Sequence, residues 1–148
     1  MKARAIKSGE LPGLLRLYRF LHPDDPVVDP VFDEVRQHWN NIVSNPLLHI
    51  YVCEVDGLLV STCTLALIPN LSRGLRPYGL IENVVTDPAY QRRGLGTAIL
   101  RHALTEAWKA DCYKVMLETG RKDPGTLKFY ETAGFKAGIK TAFIAYPV

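Results

Sequence analysis

Gln91-Arg92-Arg93-Gly94-Leu95-Gly96-Thr97-Ala98 is a basic, glycine-containing stretch that joins a strand-like run to a helix-like run. The residues before it, Ile81-Glu82-Asn83-Val84-Val85, are mostly apolar, and Thr86-Asp87-Pro88 ends them because a proline has no N–H to donate within a sheet. The apolar residues after it recur with helical spacing at Ile99, Leu100, Ala103, Leu104, Ala107 and Trp108. The pattern predicts a strand, a tight loop and then a helix.

The loop has the chemistry of an anion site. Gly94 and Gly96 let the backbone approach a ligand, and the first N–H groups of a helix, with the positive end of its dipole, favour a negative charge there. Arg92 and Arg93 add forked donors that suit phosphate. The loop predicts a pyrophosphate site, and the alternative is a glycine-containing loop with solvated arginines. Ile99 stands where the dinucleotide fingerprint needs a third glycine or alanine, and no Gly-Lys-Ser/Thr ending of a P-loop follows.

The stretch from Gln91 to Ala98 resembles the Gln/Arg-x-x-Gly-x-Gly/Ala signature of the GNAT acetyltransferase superfamily, in which this loop holds the pyrophosphate of acetyl-CoA. Residues 81–135 resemble its small-molecule enzymes. They have some likeness to glucosamine-6-phosphate N-acetyltransferases, which share the Ile-Glu-x-Val-Val strand and a Cys-Tyr-Lys-Val strand, here Cys112 to Val115. The resemblance implies transfer of acetyl from acetyl-CoA to a primary amine of a small molecule, by direct attack in a ternary complex. The co-substrate residues that it implies are Val84, Val85, Thr86, Gln91, Arg92, Arg93, Gly94, Leu95, Gly96, Thr97, Thr126 and Phe129.

Tyr130 is the candidate acid for the leaving thiolate. It lies in Phe129-Tyr130-Glu131 followed by Gly134-Phe135, which resembles the Phe-Tyr-Glu-x-x-Gly-Phe motif of the superfamily, where the tyrosine hydroxyl faces the CoA sulfur. A phenol with a pKa near ~10 is well matched to a thiolate leaving group. The alternative is an amphipathic tyrosine packed at a helix edge.

Glu82 is the candidate base or amine anchor, with a structural carboxylate as the alternative. Strand alternation puts Glu82 and Val84 on one face, and a carboxylate buried in an apolar central strand would suit proton exchange with an amine. In the superfamily this strand splays from its parallel neighbour, so that backbone groups of Val84 and Val85 bind the pantetheine arm. The amino-sugar enzymes carry an acidic residue where this chain has Asn83, so the acceptor itself stays open. Arg73 and Arg76 lie in a loop that could border the acceptor site or be merely solvated.

Composition limits the class of protein. With 148 residues the chain suits one domain, 1–148, and it contains no apolar run of the ~18 residues needed to span a membrane. An odd number of cysteines without paired spacing and no visible signal peptide predict a reducing, cytoplasmic location. The net charge of +3 predicts no nucleic-acid partner, and the four histidines lack metal-ligand spacing.

The complete pattern predicts an α/β (α+β) GNAT fold with a central mixed, mostly antiparallel, six- to seven-stranded sheet and about four helices. The apolar spacing predicts a first helix over Glu10 to Leu21, and a second helix is predicted to start at Asp29-Pro30. A hairpin turn is predicted at Asp56-Gly57. Phe135 to Val148 predicts one or two closing strands, through which the resemblance implies a possible homodimer. The rivals are another acyl-CoA donor, a peptide or protein acceptor, and a non-catalytic CoA-binding sensor.

Overall fold

The computed structural model describes residues 2–148 and has one five-stranded sheet at its centre. The strands lie in the order in which they occur along the chain, and only β4 and β5 run parallel. This confirms the predicted mixed, mostly antiparallel sheet. The strands are β1 (Arg4–Ala5), β2 (Leu48–Val55), β3 (Leu58–Ile68), β4 (Tyr78–Thr86) and β5 (Val115–Leu117).

Helices cover both faces of this sheet. On one face, α4 packs against β2, β3 and β4, with α5 beside it. On the other face, α1 packs against β3 and β4, and α2 against β2. The helices are α1 (Leu11–Leu21), α2 (Asp33–Val43), the single turn α3 (Ser72–Leu75), α4 (Leu95–Lys109) and α5 (Pro124–Ala133). The predicted first helix, the helix after the glycine loop and the Asp56-Gly57 hairpin turn are confirmed.

The predicted start of the second helix is wrong by three residues. The Oδ1 atom of Asp29 accepts the N–H of Val31 at 2.9 Å, which forms a local turn in place of a helix cap. Asp and Asn side chains compete with helices in this way. Helix α2 therefore begins at Asp33, after the extended residue Phe32.

The predicted closing strands do not form. Within residues 2–148 the sheet ends at β5, and residues 135–148 contain no strand, so the count is five rather than six or seven. The alternation of apolar and small residues is strand-like, but a strand needs a partner, and this segment stays largely exposed. Phe143 and Tyr146 are 92% and 81% exposed.

A bulge interrupts β4 at Asn83. Thr62 pairs with Val85 and Thr64 with Glu82, so the β3 residue Cys63 faces two β4 residues, Asn83 and Val84. Asn83 has a left-handed backbone with φ of 53°, a conformation that asparagine tolerates better than most residues. The extra residue reverses the alternation, so Val84 packs on the α4 side with Ile81 while Glu82 faces the other way. The sequence-based placement of Glu82 and Val84 on one face is therefore wrong.

Candidate active site

A groove of about 1070 Å³ opens where β4 and β5 separate. The two strands pair only over Gly79–Ile81 and Val115–Leu117, yet β4 continues to Thr86. Beyond Ile81 the edge of β4 that would face β5 is thus open to the groove. Its walls are the end of β4, the loop before α4, the residues after β5, and α5. This is the size expected for a small-molecule or cofactor site.

The floor of the groove at one end is the first turn of α4. Gly94, directly before α4, has a left-handed φ of 77°, and none of the side chains in residues 2–148 caps this end of the helix with a hydrogen bond. The N–H groups of Leu95, Gly96 and Thr97 therefore have no partner within the helix ladder and lie at the positive end of its dipole. Because these residues line the groove, their N–H groups are open to a ligand there.

The two arginines of the loop have different surroundings. Arg92, with φ of 61°, lines the groove. Arg93 does not line the groove: its Nη2 donates to the carbonyl oxygen of Ala89 at 3.2 Å, and its guanidinium lies 5.0 Å from the ring centre of Tyr90. Of these two loop arginines, only Arg92 is therefore available to a ligand in the groove.

Gly96 is close to α5 as well as to the groove. A Cβ atom at Gly96 would lie 2.9 Å from Cε2 of Phe129 and 3.3 Å from Oγ1 of Thr86. Both distances are shorter than ordinary van der Waals contact, so a larger residue would push the first turn of α4 away from α5. Gly96 thus has a packing role beside any role in ligand approach.

Tyr130 is held at the groove by aromatic packing. Its ring lies 4.8 Å from the ring of Phe129 and 6.5 Å, edge to face, from that of Phe135. Burial is the largest cause that raises the pKa of the Tyr130 phenol above its usual value; the nearby Thr119 side chain and the charge of Arg121 oppose this rise, and the charge of Glu82 adds to it. The hydroxyl is therefore protonated at neutral pH and lies within electrostatic reach of Glu82.

Glu82 lies in the same groove but is exposed, so the expected burial is not observed. Ordinary strand alternation places Glu82 on the side of β4 opposite to the buried residue Ile81, and this side is not covered at Glu82. Within residues 2–148 no salt bridge to Glu82 occurs, so its carboxylate is available to a ligand.

The remaining predicted residues contribute mainly to the walls. The hydroxyl of Thr126 donates to the carboxylate of Asp123, which caps α5 by accepting the N–H of Thr126 at 2.9 Å. The Nε2 of Gln91 donates to the carbonyl oxygen of Thr86 at 3.2 Å. Apart from Arg93, every residue predicted to bind the co-substrate lines the groove: Val84, Val85, Thr86, Gln91, Arg92, Gly94, Leu95, Gly96, Thr97, Thr126 and Phe129.

Sequence reasoning missed several residues of the groove: Phe20, Leu21, His22, Glu118, Thr119 and Arg121. Glu118 directly follows Leu117, the last β5 residue that pairs with β4, so its place in the groove depends on strand pairing and not on a local sequence signal. Arg73 and Arg76 are elsewhere: Arg76 binds the backbone and carboxylate of Asp111 near the start of β5, and neither arginine lines the groove.

In the described part of the chain, no group of three or more His, Cys, Asp or Glu side chains is arranged to hold a metal ion. None of the helices over residues 2–148 combines the length and the apolar character needed to cross a membrane.

Comparisons with known proteins agree with this architecture. The chain is 36% identical to the glucosamine 6-phosphate N-acetyltransferase of Trypanosoma brucei brucei over 88 residues, 60% of this chain but only 58% of that protein. It is 31% identical to the enzyme of the same name from Candida albicans over 108 residues, 72% of this chain and 69% of that protein. A solved structure from Agrobacterium tumefaciens, described as a proposed acetyltransferase, superposes with a TM-score of 0.92 at 44% identity over 99% of this chain and 100% of that one.

The sequence model of the acetyltransferase (GNAT) family matches residues 14–135, which include the bulged strand β4, the loop before α4 and Tyr130. This confirms, at the level of the family, the predicted fold and the prediction of an acyltransferase. The chain belongs to the acetyltransferase (GNAT) family.

Proposed function

We propose that residues 1–148 act as one domain that transfers acetyl from acetyl-CoA to a primary amine of a small molecule. One observation supports this most: a single groove joins the uncapped first turn of α4 to a protonated phenol, Tyr130, and an exposed carboxylate, Glu82. An anion site, an acid and a proton acceptor are the groups that acetyl transfer to an amine needs.

The groove suits acetyl-CoA by its volume of about 1070 Å³ and by its chemistry. Its uncapped N–H groups and Arg92 would hold the pyrophosphate, and the open edge of β4 at Val84 and Val85 would hold the pantetheine arm through the backbone. Bound there, acetyl-CoA supplies an acyl group activated as a thioester.

Tyr130 gives its hydroxyl proton to the sulfur, which leaves with the electron pair of the broken carbon–sulfur bond. Glu82 accepts, directly or through water, the proton that the amine nitrogen releases as it forms the new carbon–nitrogen bond, or it holds the amine in place. The backbone N–H groups beside the bulge polarise the thioester carbonyl. Direct attack in a ternary complex is consistent with the three cysteines, which are all buried.

The next question is which amine accepts the acetyl group. Two relatives are named for glucosamine 6-phosphate, which makes that amino sugar the first acceptor to test. A peptide or protein amine, another acyl donor, and a sensor that binds CoA without chemistry are the competing hypotheses.

The test follows free thiol released from acetyl-CoA in the presence of glucosamine 6-phosphate and a panel of other amines and peptides, with calorimetry of CoA binding in parallel. Amine-dependent thiol release with tight CoA binding is the expected result. Binding without release for any amine would favour the sensor, and no binding would overturn the proposal as a whole.

We also propose a homodimer formed through residues 135–148. This segment exposes apolar side chains, including Phe143 and Tyr146, which a second copy of the chain could cover. Light scattering should give a dimer for the full chain and a monomer after truncation at Gly138. A monomeric full chain would contradict this.

A cytoplasmic location is proposed as well, since Cys53, Cys63 and Cys112 are unpaired.

A further inference from the structure

Two carboxylates lie on neighbouring strands at the point where the parallel strands of the sheet separate. The last paired residues are Ile81 in β4 and Leu117 in β5, and both pack against the core beneath α4. Glu82 and Glu118 follow them directly, so strand alternation directs both toward the opposite face of the sheet. Both are exposed, and both line the groove. The opening between the strands is therefore flanked by one carboxylate from each side.

Neither of these carboxylates is neutralised by the protein. No ion pair within residues 2–148 includes Glu82 or Glu118. Neighbouring strands lie about 4.8 Å apart, and like charges on adjacent strands repel each other. Two adjacent carboxylates without a counter-charge lower the stability of this part of the sheet, so packing gives no reason for them. A cationic group bound between them would remove the repulsion.

Charges of opposite sign lie in different parts of the groove. Arg92 lines it together with the first turn of α4, which is the proposed pyrophosphate end. Arg121 also lines it, but its Nε lies 3.0 Å from Oδ1 of Asp123, which balances its charge. Near the two carboxylates the groove is therefore negative, and it attracts a cationic group and repels an anionic one.

We propose that Glu118 is a specificity-determining residue and that the acceptor of this groove is an amine with a second cationic group. Glu82 contacts the reacting nitrogen, and Glu118 binds the second ammonium. The inference rests on the proposed function, because it names the class of acceptor for the same groove. The groove is the binding site, and the two carboxylates select among amines. An amine that carries a phosphate, such as glucosamine 6-phosphate, brings a like charge to Glu118 and is a poorer acceptor.

The alternative is that Glu118 is a solvated surface charge. A solvated charge acts on every cationic acceptor through a long-range field that salt screens, and it does not discriminate strongly between amines. A carboxylate in direct contact with the second ammonium affects mainly the acceptors that have one. The two hypotheses therefore differ in the ratio of the rates for a diamine and a monoamine.

The experiment compares diaminobutane with butylamine, which has the same carbon chain and one amine fewer, by thiol release from acetyl-CoA. The wild type should have a kcat/KM about tenfold higher for diaminobutane, the effect of one charge-assisted contact. Glu118→Gln should lower this ratio about tenfold, mainly through KM for diaminobutane. Glu131→Gln is the matched control, because it removes an exposed carboxylate of α5 that does not line the groove. It should keep the ratio within about twofold.

Charge reversal and salt extend the test. Glu118→Lys should favour an acceptor with an anionic group, so kcat/KM for glucosamine 6-phosphate relative to diaminobutane should rise about tenfold or more over the wild type. Added salt should reduce the preference of the wild type for diaminobutane over butylamine, a measurement that needs no variant. A preference that does not depend on salt would contradict binding through charge.

Failure of this inference is distinguishable from failure of the proposed function. Calorimetry of diaminobutane with the CoA complex measures acceptor binding without chemistry, and Glu118→Gln should weaken this binding about tenfold. Transfer without a preference for diaminobutane, and with the same ratio in Glu118→Gln, would overturn the inference and leave the function standing. Absence of transfer to every amine would overturn the function, and weaker binding of diaminobutane to Glu118→Gln would then still support the role of Glu118.

Discussion

Arg16 on α1 binds Asp87 at the entrance of the loop before α4, with 2.6 Å between Nη1 and Oδ2. The second guanidinium nitrogen, Nη2, donates to the carbonyl oxygen of Leu59 in β3 at 2.7 Å. Asp87 is buried, and its other oxygen accepts the N–H of Ala89 at 2.9 Å. A helix on one face of the sheet thereby holds the first residues of the loop whose end forms the proposed pyrophosphate site.

Arg16→Gln should therefore weaken CoA binding although Arg16 does not line the groove. Loss of the partner leaves a buried carboxylate without its cation, which should also cost about 1–3 kcal/mol of unfolding free energy. Calorimetry and thermal unfolding measure the two effects. The matched control is Arg4→Gln, which removes an ion pair with Glu10 at 2.7 Å near β1 and should lower stability alone. Equal CoA affinity of the Arg16→Gln variant and the wild type would contradict the coupling.

The same pair predicts how stability depends on pH. Arg16, with the N–H of Ala89, lowers the pKa of the Asp87 carboxyl in the folded state. The ion pair between Arg16 and Asp87 stabilises the folded state fully above the pKa of an unfolded aspartate, about 3.9. This stabilisation is lost as the pH falls through the lower pKa that Asp87 has in the folded state. In urea unfolding, the difference in unfolding free energy between the wild type and Asp87→Asn should therefore be largest at neutral pH. It should shrink below about pH 4. A difference in unfolding free energy that grows as the pH falls would contradict this prediction.

The two loop arginines provide a matched pair for the anion site. Arg92→Gln should weaken CoA binding about tenfold, the effect of losing one charge-assisted hydrogen bond. Arg93→Gln should change it little, because Arg93 binds Ala89 and the ring of Tyr90 instead of lining the groove. The measurement is calorimetry at two salt concentrations, and the dependence on salt should decrease only for Arg92→Gln. Equal losses in the two variants would argue against the assigned pyrophosphate site.

Asn83 should be needed for its backbone conformation. Asn83→Val puts a branched residue at a φ of 53°, so the bulge should shift and kcat should fall about ten- to a hundredfold. Asn83→Gly tolerates this angle and should keep most of kcat. Steady-state kinetics of both variants make the comparison. Equal kcat values for Asn83→Val and Asn83→Gly would contradict a role for the backbone conformation at residue 83.

Local signals account for much of the fold and of the site. The Asp56-Gly57 turn, the Asp123 cap and Gly134 after α5 act within a few residues, so the sequence alone predicts them. The loop at Gly94 and the helix that carries Tyr130 are predicted for the same reason, because their motifs are equally short.

What the sequence could not predict depends on distant residues. The bulge at Asn83 arises from pairing with β3, and the orientation of Arg93 depends on the position of Tyr90. The ion pair between Arg16 and Asp87 joins residues 71 positions apart. The C-terminal segment has the alternation of a strand but no neighbouring strand to pair with, because pairing is a property of two segments.

In the proposed mechanism, Tyr130 gives a proton to the leaving sulfur in the groove that also contains Glu82. The most direct test is the pH profile of amine-dependent thiol release for wild type, Tyr130→Phe and Glu82→Gln. Tyr130→Phe should lower kcat about ten- to a thousandfold while CoA affinity stays nearly constant. Glu82→Gln should move the alkaline limb to lower pH, because the Glu82 charge raises the pKa of Tyr130. A Tyr130→Phe enzyme with undiminished kcat, under conditions where chemistry limits the rate, would contradict the account.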